Sequence, residues 1–469
     1  MRAWWVGGLL IGLASACGAA GPPPAATDRQ ALPGRSAAPS ARAPTAPAGL
    51  EARRAEESPV CPPLTVALPE LIDAPLDPSI PPLVDESGRG QMSSFYEKLA
   101  RLARGRATDS VRIAMYGDSN LTRDTISGEL RRTLQLTFGD GGHGWISPVK
   151  PWPWYLHTDI RHRNDEAGWR AIDLSTDQII DRRYGFAGIA AMPRNAHARA
   201  VVQTAAPGAP VGTRVSRIEV WYLQHPGWGR LRARIDDAPP VELATAGPRL
   251  EAARRRFDLP DGPHRLVLES VDLDVRLLGV VFERSEPGVV VDSLGVGGVN
   301  TELIVRADRE LTEQSLALRG PDLVLLLTGA TESDTPGHLA AARELVARVR
   351  RAVPGAPFLM LGPPDLAGGT IERPTRSARI ERIDAQKRAL ARELGTMFWD
   401  FRGAMGGRIS IVRFAAHEMA WKDFIHLTES GGRFMGRRLA YALMRDYGEY
   451  LAEHPDAGCQ APPSAGAGP

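Results

Sequence analysis

Val111-Arg112-Ile113-Ala114-Met115-Tyr116 runs straight into Gly117-Asp118-Ser119. The first six residues are largely apolar without strict alternation, which predicts a strand buried on both faces of a parallel sheet. Comparable runs follow at 288–294, 322–328, 357–361 and 396–400. Between them, 123–138, 301–318, 337–353 and 376–394 place apolar residues at helical spacing, and a last helix is expected over 429–451 behind Thr428 as N-cap. Strands alternating with helices define an α/β class, a flavodoxin-like doubly wound parallel sheet, whose ligands sit beyond the carboxyl ends of the strands. Ser119 falls in the first such turn.

The alternation stops between about 150 and 287. There 214–223, 230–236, 264–271 and 275–283 alternate apolar and polar residues, separated by turn signals such as Pro226-Gly227 and Pro260-Asp261-Gly262. This predicts an all-β sandwich inserted in a loop of the α/β domain. The expected division is an α/β layer over 90–150 and 288–455, an insert over 151–287, and a disordered tail over 456–469.

The amino terminus carries an address. Met1-Arg2 precedes a short apolar stretch that stops at Cys17, too short to span a bilayer and typical of a signal peptide. Leu13-Ala14-Ser15-Ala16-Cys17 resembles a bacterial lipobox, with alanine where leucine is usual; the resemblance implies lipidation of Cys17, so residues 1–17 are read as signal peptide and lipobox. Residues 18–60 are rich in Ala, Pro, Gly, Ser and Arg, the composition of a disordered tether. The expected location is extracytoplasmic, as a periplasmic or outer-membrane lipoprotein or a secreted protein. Cys61 and Cys459 are then either a disulfide pair or two free thiols. With 57 basic against 55 acidic residues and a net charge of +2, the chain shows no electrostatic footprint for nucleic acid.

The candidate chemistry is spread along the chain. A serine hydroxyl needs an imidazole to take its proton, and the imidazole needs a carboxylate to fix its tautomer. Asp423-Phe424-Ile425-His426 supplies both, just ahead of the last helix. The second strand ends in Ser293-Leu294-Gly295-Val296-Gly297-Gly298, whose glycines let a backbone N–H point at a developing oxyanion. Its spacing and position do not fit a dinucleotide loop. The third strand ends in Leu327-Thr328-Gly329-Ala330-Thr331-Glu332, where a side chain can add an oxyanion donor. The order Ser, Asp, His points to covalent acyl transfer without a cofactor.

These blocks resemble the SGNH/GDSL hydrolase family. The resemblance covers about 93–150 and 288–450 and implies Ser119 as nucleophile, His426 as general base, Asp423 as the orienting acid, and the N–H groups of Ser119 and Gly298 in the oxyanion hole. Phe138-Gly139-Asp140-Gly141-Gly142-His143-Gly144, Tyr184-Gly185-Phe186-Ala187-Gly188 and Phe398-Trp399-Asp400 resemble bacterial peptidoglycan O-acetylesterase-like members, which carry a carbohydrate-binding-module-like β-sandwich in this same loop. The family's third block usually holds asparagine where this chain has Thr331. Loss of one oxyanion donor costs ~3 kcal/mol, a hundredfold or more in rate, unless the Thr331 hydroxyl reaches the oxyanion.

The aromatics Trp152, Trp154, Tyr155, Trp221, Tyr222 and Trp228 are candidates for sugar stacking or plain packing, and Trp228 is the best placed, beside a turn signal at a hairpin tip. His143, His157, His162, His338 and His417 show no metal-ligand spacing, so no metal is expected. The leading expectation is a monomeric acetylesterase acting on an O-acetylated cell-envelope glycan, touching the membrane only through a lipid at Cys17. The alternatives are an O-acetyltransferase using the same triad and a non-catalytic glycan-binding lipoprotein.

Overall fold

Leu323, Leu325 and Leu327 of one strand face one hydrophobic cluster, and Val324 and Leu326 face another, so this strand is covered on both sides. The computed structural model describes residues 61–459 other than 86, 87, 89, 177 and 178. The expected signal peptide, Cys17, the expected tether and residues 460–469 lie outside the described residues.

The central sheet has strands β1 (Leu83–Asp85), β2 (Val111–Gly117), β3 (Val289–Gly295), β4 (Leu323–Leu327), β5 (Phe358–Leu361) and β6 (Met397–Trp399). Their spatial order is β1-β6-β5-β4-β2-β3. All neighbours are parallel except β1, which pairs antiparallel with β6 along one edge. Helices α1 (Ser93–Ala103), α2 (Thr125–Phe138) and α6 (Glu429–Glu453) pack on one face. Helices α3 (Arg309–Arg319), α4 (Pro336–Ala352) and α5 (Ala378–Leu394) pack on the other. Hence the class is α/β, a parallel sheet wound with helices on both faces and joined to a β-rich region.

The expected single helix over 301–318 is two, Thr301–Ile304 and α3. Asp308 starts the second by accepting the Leu311 N–H at 2.8 Å, and this cap interrupts what apolar spacing alone reads as continuous.

Between α2 and β3 the chain builds two antiparallel sheets. One runs in the order Val241–Ala244, Arg230–Ile235, Arg265–Ser270, Arg199–Thr204, Ile160–Asn164. The other runs Glu251–Gly262, Val215–Gln224, Leu277–Glu283, Ile189–Pro193, Trp169–Asp173, with Gly144–Ile146 also paired to Leu277–Glu283. Both contribute to one buried cluster, among them Trp221 and Leu223 from the second sheet and Val202, Leu231 and Leu268 from the first. Because Gly144–Ile146 belongs to this pairing, antiparallel structure begins before residue 151.

Buried charge links the two parts. Arg319, 2% exposed at its side chain, donates to Asp292 of β3 at 2.7 Å and to Glu283 at 2.6 Å, and Arg112 of β2 reaches the same Glu283 at 2.9 Å. Removing one member of such a network leaves a buried charge unpaired, at a cost of about 3–5 kcal/mol. Cys61 and Cys459 are joined by a disulfide with Cα atoms 6.2 Å apart.

Candidate active site

Every strand that matters ends on the same side. Gly117 ends β2, and Asp118 caps a single 3-10 turn, Ser119–Leu121, by accepting the Asn120 N–H at 3.1 Å. Its other carboxylate oxygen accepts the Gly329 and Ala330 N–H groups at 3.1 and 3.2 Å, tying the turn after β4 to the turn after β2. Burial raises the Asp118 pKa, against the pull of these N–H donors and of Lys387. Lys387 is itself buried, pushed down to about 8 by burial, with its ammonium donating to the Thr328 carbonyl at 2.5 Å.

Ser119 and the segment before α6 meet directly. The His426 Nδ1–H donates to Asp423 Oδ2 at 2.7 Å, which leaves Nε2 to accept the Ser119 hydroxyl proton at 2.8 Å. Asp423 Oδ1 accepts the N–H groups of Ile425 and His426 at 2.9 and 3.1 Å. Burial works to raise the Asp423 pKa, but these donors outweigh it and hold the carboxylate below its ordinary range. The tight loop needs Phe424 at φ +54°, a conformation stabilised by burial of its ring at 4% exposure. Thr428 then caps α6 through the Gly431 N–H.

Asn120 clamps the two halves together. Its Oδ1 accepts the Leu427 N–H at 3.0 Å and its Nδ2 donates to the Ile425 carbonyl at 3.5 Å, so the residue after the nucleophile fixes the chain on both sides of the imidazole. Neither Asn120 nor the bridging role of Asp118 is legible in sequence, since their partners lie more than 200 positions away.

The glycine-rich turn after β3 supplies Gly298 at φ +74°, where a Cβ would meet Ser175 at 3.7 Å. Ser175, from the β-rich region, donates to the Gly297 carbonyl and is itself held by buried Asp173, whose Oδ1 accepts its N–H at 2.8 Å. The β-rich region therefore braces the turn that carries Gly298. Thr331 does not reach inward: its hydroxyl donates to the Val299 carbonyl at 2.5 Å, and that proton is no longer offered to an oxyanion. Glu332 beside it is buried; burial is outweighed by His338 and Lys387, which bring it down to about 2, and it accepts the Thr301 N–H at 2.9 Å.

Trp228 lies half-buried in the turn after Val215–Gln224, with the His225 ring stacked at 4.8 Å and the Arg276 guanidinium 5.5 Å from its centroid. Among the described residues no contact joins it to the triad. Trp221 is buried core, its indole N–H donating to Glu219 at 2.9 Å. Asp124, His143 and His157 bring ligand-type atoms within 4.8 Å of one another. Both Asp124 oxygens are already taken, by Arg131 at 2.6 Å, Thr158 at 2.9 Å and Ser127 at 2.7 Å, and an arginine in contact repels a cation. The set does not suit a metal ion.

A hydroxyl hydrogen-bonded to an imidazole that a carboxylate orients, at the carboxyl ends of a parallel sheet, defines an enzyme of the serine acylhydrolase class. Residues 245–434 match the family described as GDSL-like lipase/acylhydrolase, a range that includes Gly298, Thr331, Asp423 and His426 and starts beyond Ser119. The chain carries a GDSL-type acylhydrolase domain on an SGNH hydrolase fold. Among solved structures, a peptidoglycan O-acetylesterase, solved in action, superposes with a TM-score of 0.66 at 24% identity over 78% of this chain and 99% of the other. A family two carbohydrate esterase from Clostridium thermocellum, an active-site mutant, gives 0.26 at 13% identity over 58% and 97% of the two chains. A lipase/acylhydrolase from Enterococcus faecalis gives 0.26 at 19% over 35% and 77%. No curated protein sequence matches.

Proposed function

We propose that this chain is an extracytoplasmic serine esterase that removes O-acetyl groups from a cell-envelope glycan. The observation that carries the proposal is the unbroken hydrogen-bond chain from Ser119 through His426 to Asp423. Ser119 Oγ attacks the acetyl carbonyl carbon while His426 Nε2 takes its proton. The tetrahedral oxyanion is held by the backbone N–H groups of Ser119 and Gly298. Collapse expels the sugar oxygen, which leaves with the proton from His426, and acetyl-Ser119 remains. Water then attacks the ester with His426 again as base, releasing acetate and restoring the serine.

The glycan substrate is supported by the overall likeness to the solved peptidoglycan O-acetylesterase, 99% of whose length is matched by this chain. In this proposal residues 151–287 act as a carbohydrate-binding-module-like domain that presents the strand to the site. The leader and lipobox-like Cys17 support export and anchoring, and the Cys61–Cys459 bond suits an oxidising compartment. Acetate release from O-acetylated peptidoglycan and from O-acetylated polysaccharides, wild type against Ser119→Ala, tests it. The expected result is release by wild type and a loss of about 10³-fold or more in the variant. Equal release by both proteins on every substrate would overturn the role of Ser119.

A further inference from the structure

The parallel sheet has a second end. β2 starts at Val111, on the order of 20 Å from the Ser119 turn at about 3.3 Å per residue, and there a cleft of ≈ 540 Å³ opens between the sheet and the β-rich region. That volume lies within the usual range for ligand sites, roughly 300–1,000 Å³, and far exceeds a single small oxyanion. Eight basic and four acidic side chains line it, and its apolar lining is only Ala107, Val111 and Leu318, so it suits a hydrophilic, negatively charged ligand.

The inner acids are already neutralised. Glu283 is buried between Arg112 and Arg319, and Asp322 is paired with Lys98 and accepts the Arg112 N–H at 2.8 Å. The outer cations are held more loosely, or by groups outside the cleft. Arg106 is exposed and donates to the Cys459 carbonyl rather than to a carboxylate. Arg101 stands 3.7 Å from Glu97, and Arg217 reaches no carboxylate closer than 3.5 Å, on the Glu283 oxygen that Arg112 already holds at 2.9 Å. Arg256 is half-exposed and pairs with Asp258, which lies outside the cleft. The cleft is a closed ion-pair floor under a rim with surplus positive charge. Guanidinium forks of this kind bind carboxylate and phosphate oxygens.

We propose that this cleft binds a segment of an acidic glycan, its carboxylate or phosphate groups taken by Arg101, Arg106, Arg217 and Arg256. The site is separate from Ser119 and would hold an acidic strand at the opposite end of the sheet. The test is binding of the full chain to fluorescently labelled polygalacturonate and to polyphosphate-substituted dextran, with plain dextran and single-stranded DNA as comparisons. The two acidic polymers distinguish a carboxylate source from a phosphate source.

The expected outcome is binding to at least one acidic polymer that weakens steeply with salt. It should be roughly tenfold weaker in Arg106→Glu/Arg256→Glu, since each reversal places a like charge against the ligand. Hydrolysis of 4-nitrophenyl acetate should be unchanged in that variant. If it fails to fold, the milder Arg106→Gln replaces it. Binding equal to wild type in the variant, binding of plain dextran as tight as either acidic polymer, or binding of DNA as tight as either would each overturn the proposal.

Discussion

Thr331 is the residue where this chain departs from the block it resembles, and the structure gives its hydroxyl a backbone acceptor, the Val299 carbonyl at 2.5 Å. If that proton never serves the oxyanion, Thr331→Val should lower kcat by less than about threefold, whereas loss of a true oxyanion donor costs about 10²–10³-fold. Steady-state kinetics on a soluble acetyl ester distinguish these. Sequence alone named Ser119, Asp423 and His426, because a nucleophile, a base and an acid have chemistry of their own. Asn120 and Asp118 stayed hidden, since a neutral amide and a turn-capping acid carry no such signature until the chain brings Leu427 and Gly329 to them.

At the scale of elements, α6 approaches α2 through glycines. A Cβ at Gly436 would stand 2.4 Å from the Ile126 carbonyl oxygen, and one at Gly432 2.1 Å from the Thr125 hydroxyl. Gly436→Ala gains helix propensity yet should destabilise the fold by about 1–3 kcal/mol, because backbone cannot yield as a side-chain tip can. Urea unfolding measures it, and a more stable variant would refute the close approach. The buried strands β2 to β6 were legible as apolar runs. The strand Glu251–Gly262 was not, since Arg254-Arg255-Arg256 breaks any alternation and the strand is held by its pairing with Val215–Gln224. The break at Asp308 was hidden too, because its cap competes with a continuous apolar spacing.

At the scale of the whole molecule, stability should fall in mild acid. Burial pushes His157 down to about 4 and His162 down to about 3, and puts His143 well below its ordinary value. Facing them are Asp124, whose charge pulls His157 the other way, and Arg131 and Lys150, which reinforce the shift. The unfolded chain then binds more protons than the native one between about pH 6.5 and 4, so stability is lost as pH drops through that window. The melting temperature should fall on the order of 5 °C between pH 7 and 5, with a shallower slope in His157→Gln. A flat profile in wild type would contradict the burial of these rings as neutral groups. Reduction of Cys61–Cys459, which closes a separation of 398 residues, should cost about 2–5 kcal/mol of stability while leaving hydrolysis of small esters intact below the new melting point.

Ser119 and His426 stand 307 positions apart. A ribosome therefore finishes the nucleophile long before the base that arms it. Until the stretch around Asp423 and His426 has emerged and docked against Asn120, the serine is an ordinary alcohol, and a chain that stops ahead of residue 423 lacks both the base and the acid that orients it. Such an arrangement delays hydrolytic capability to the final stage of maturation.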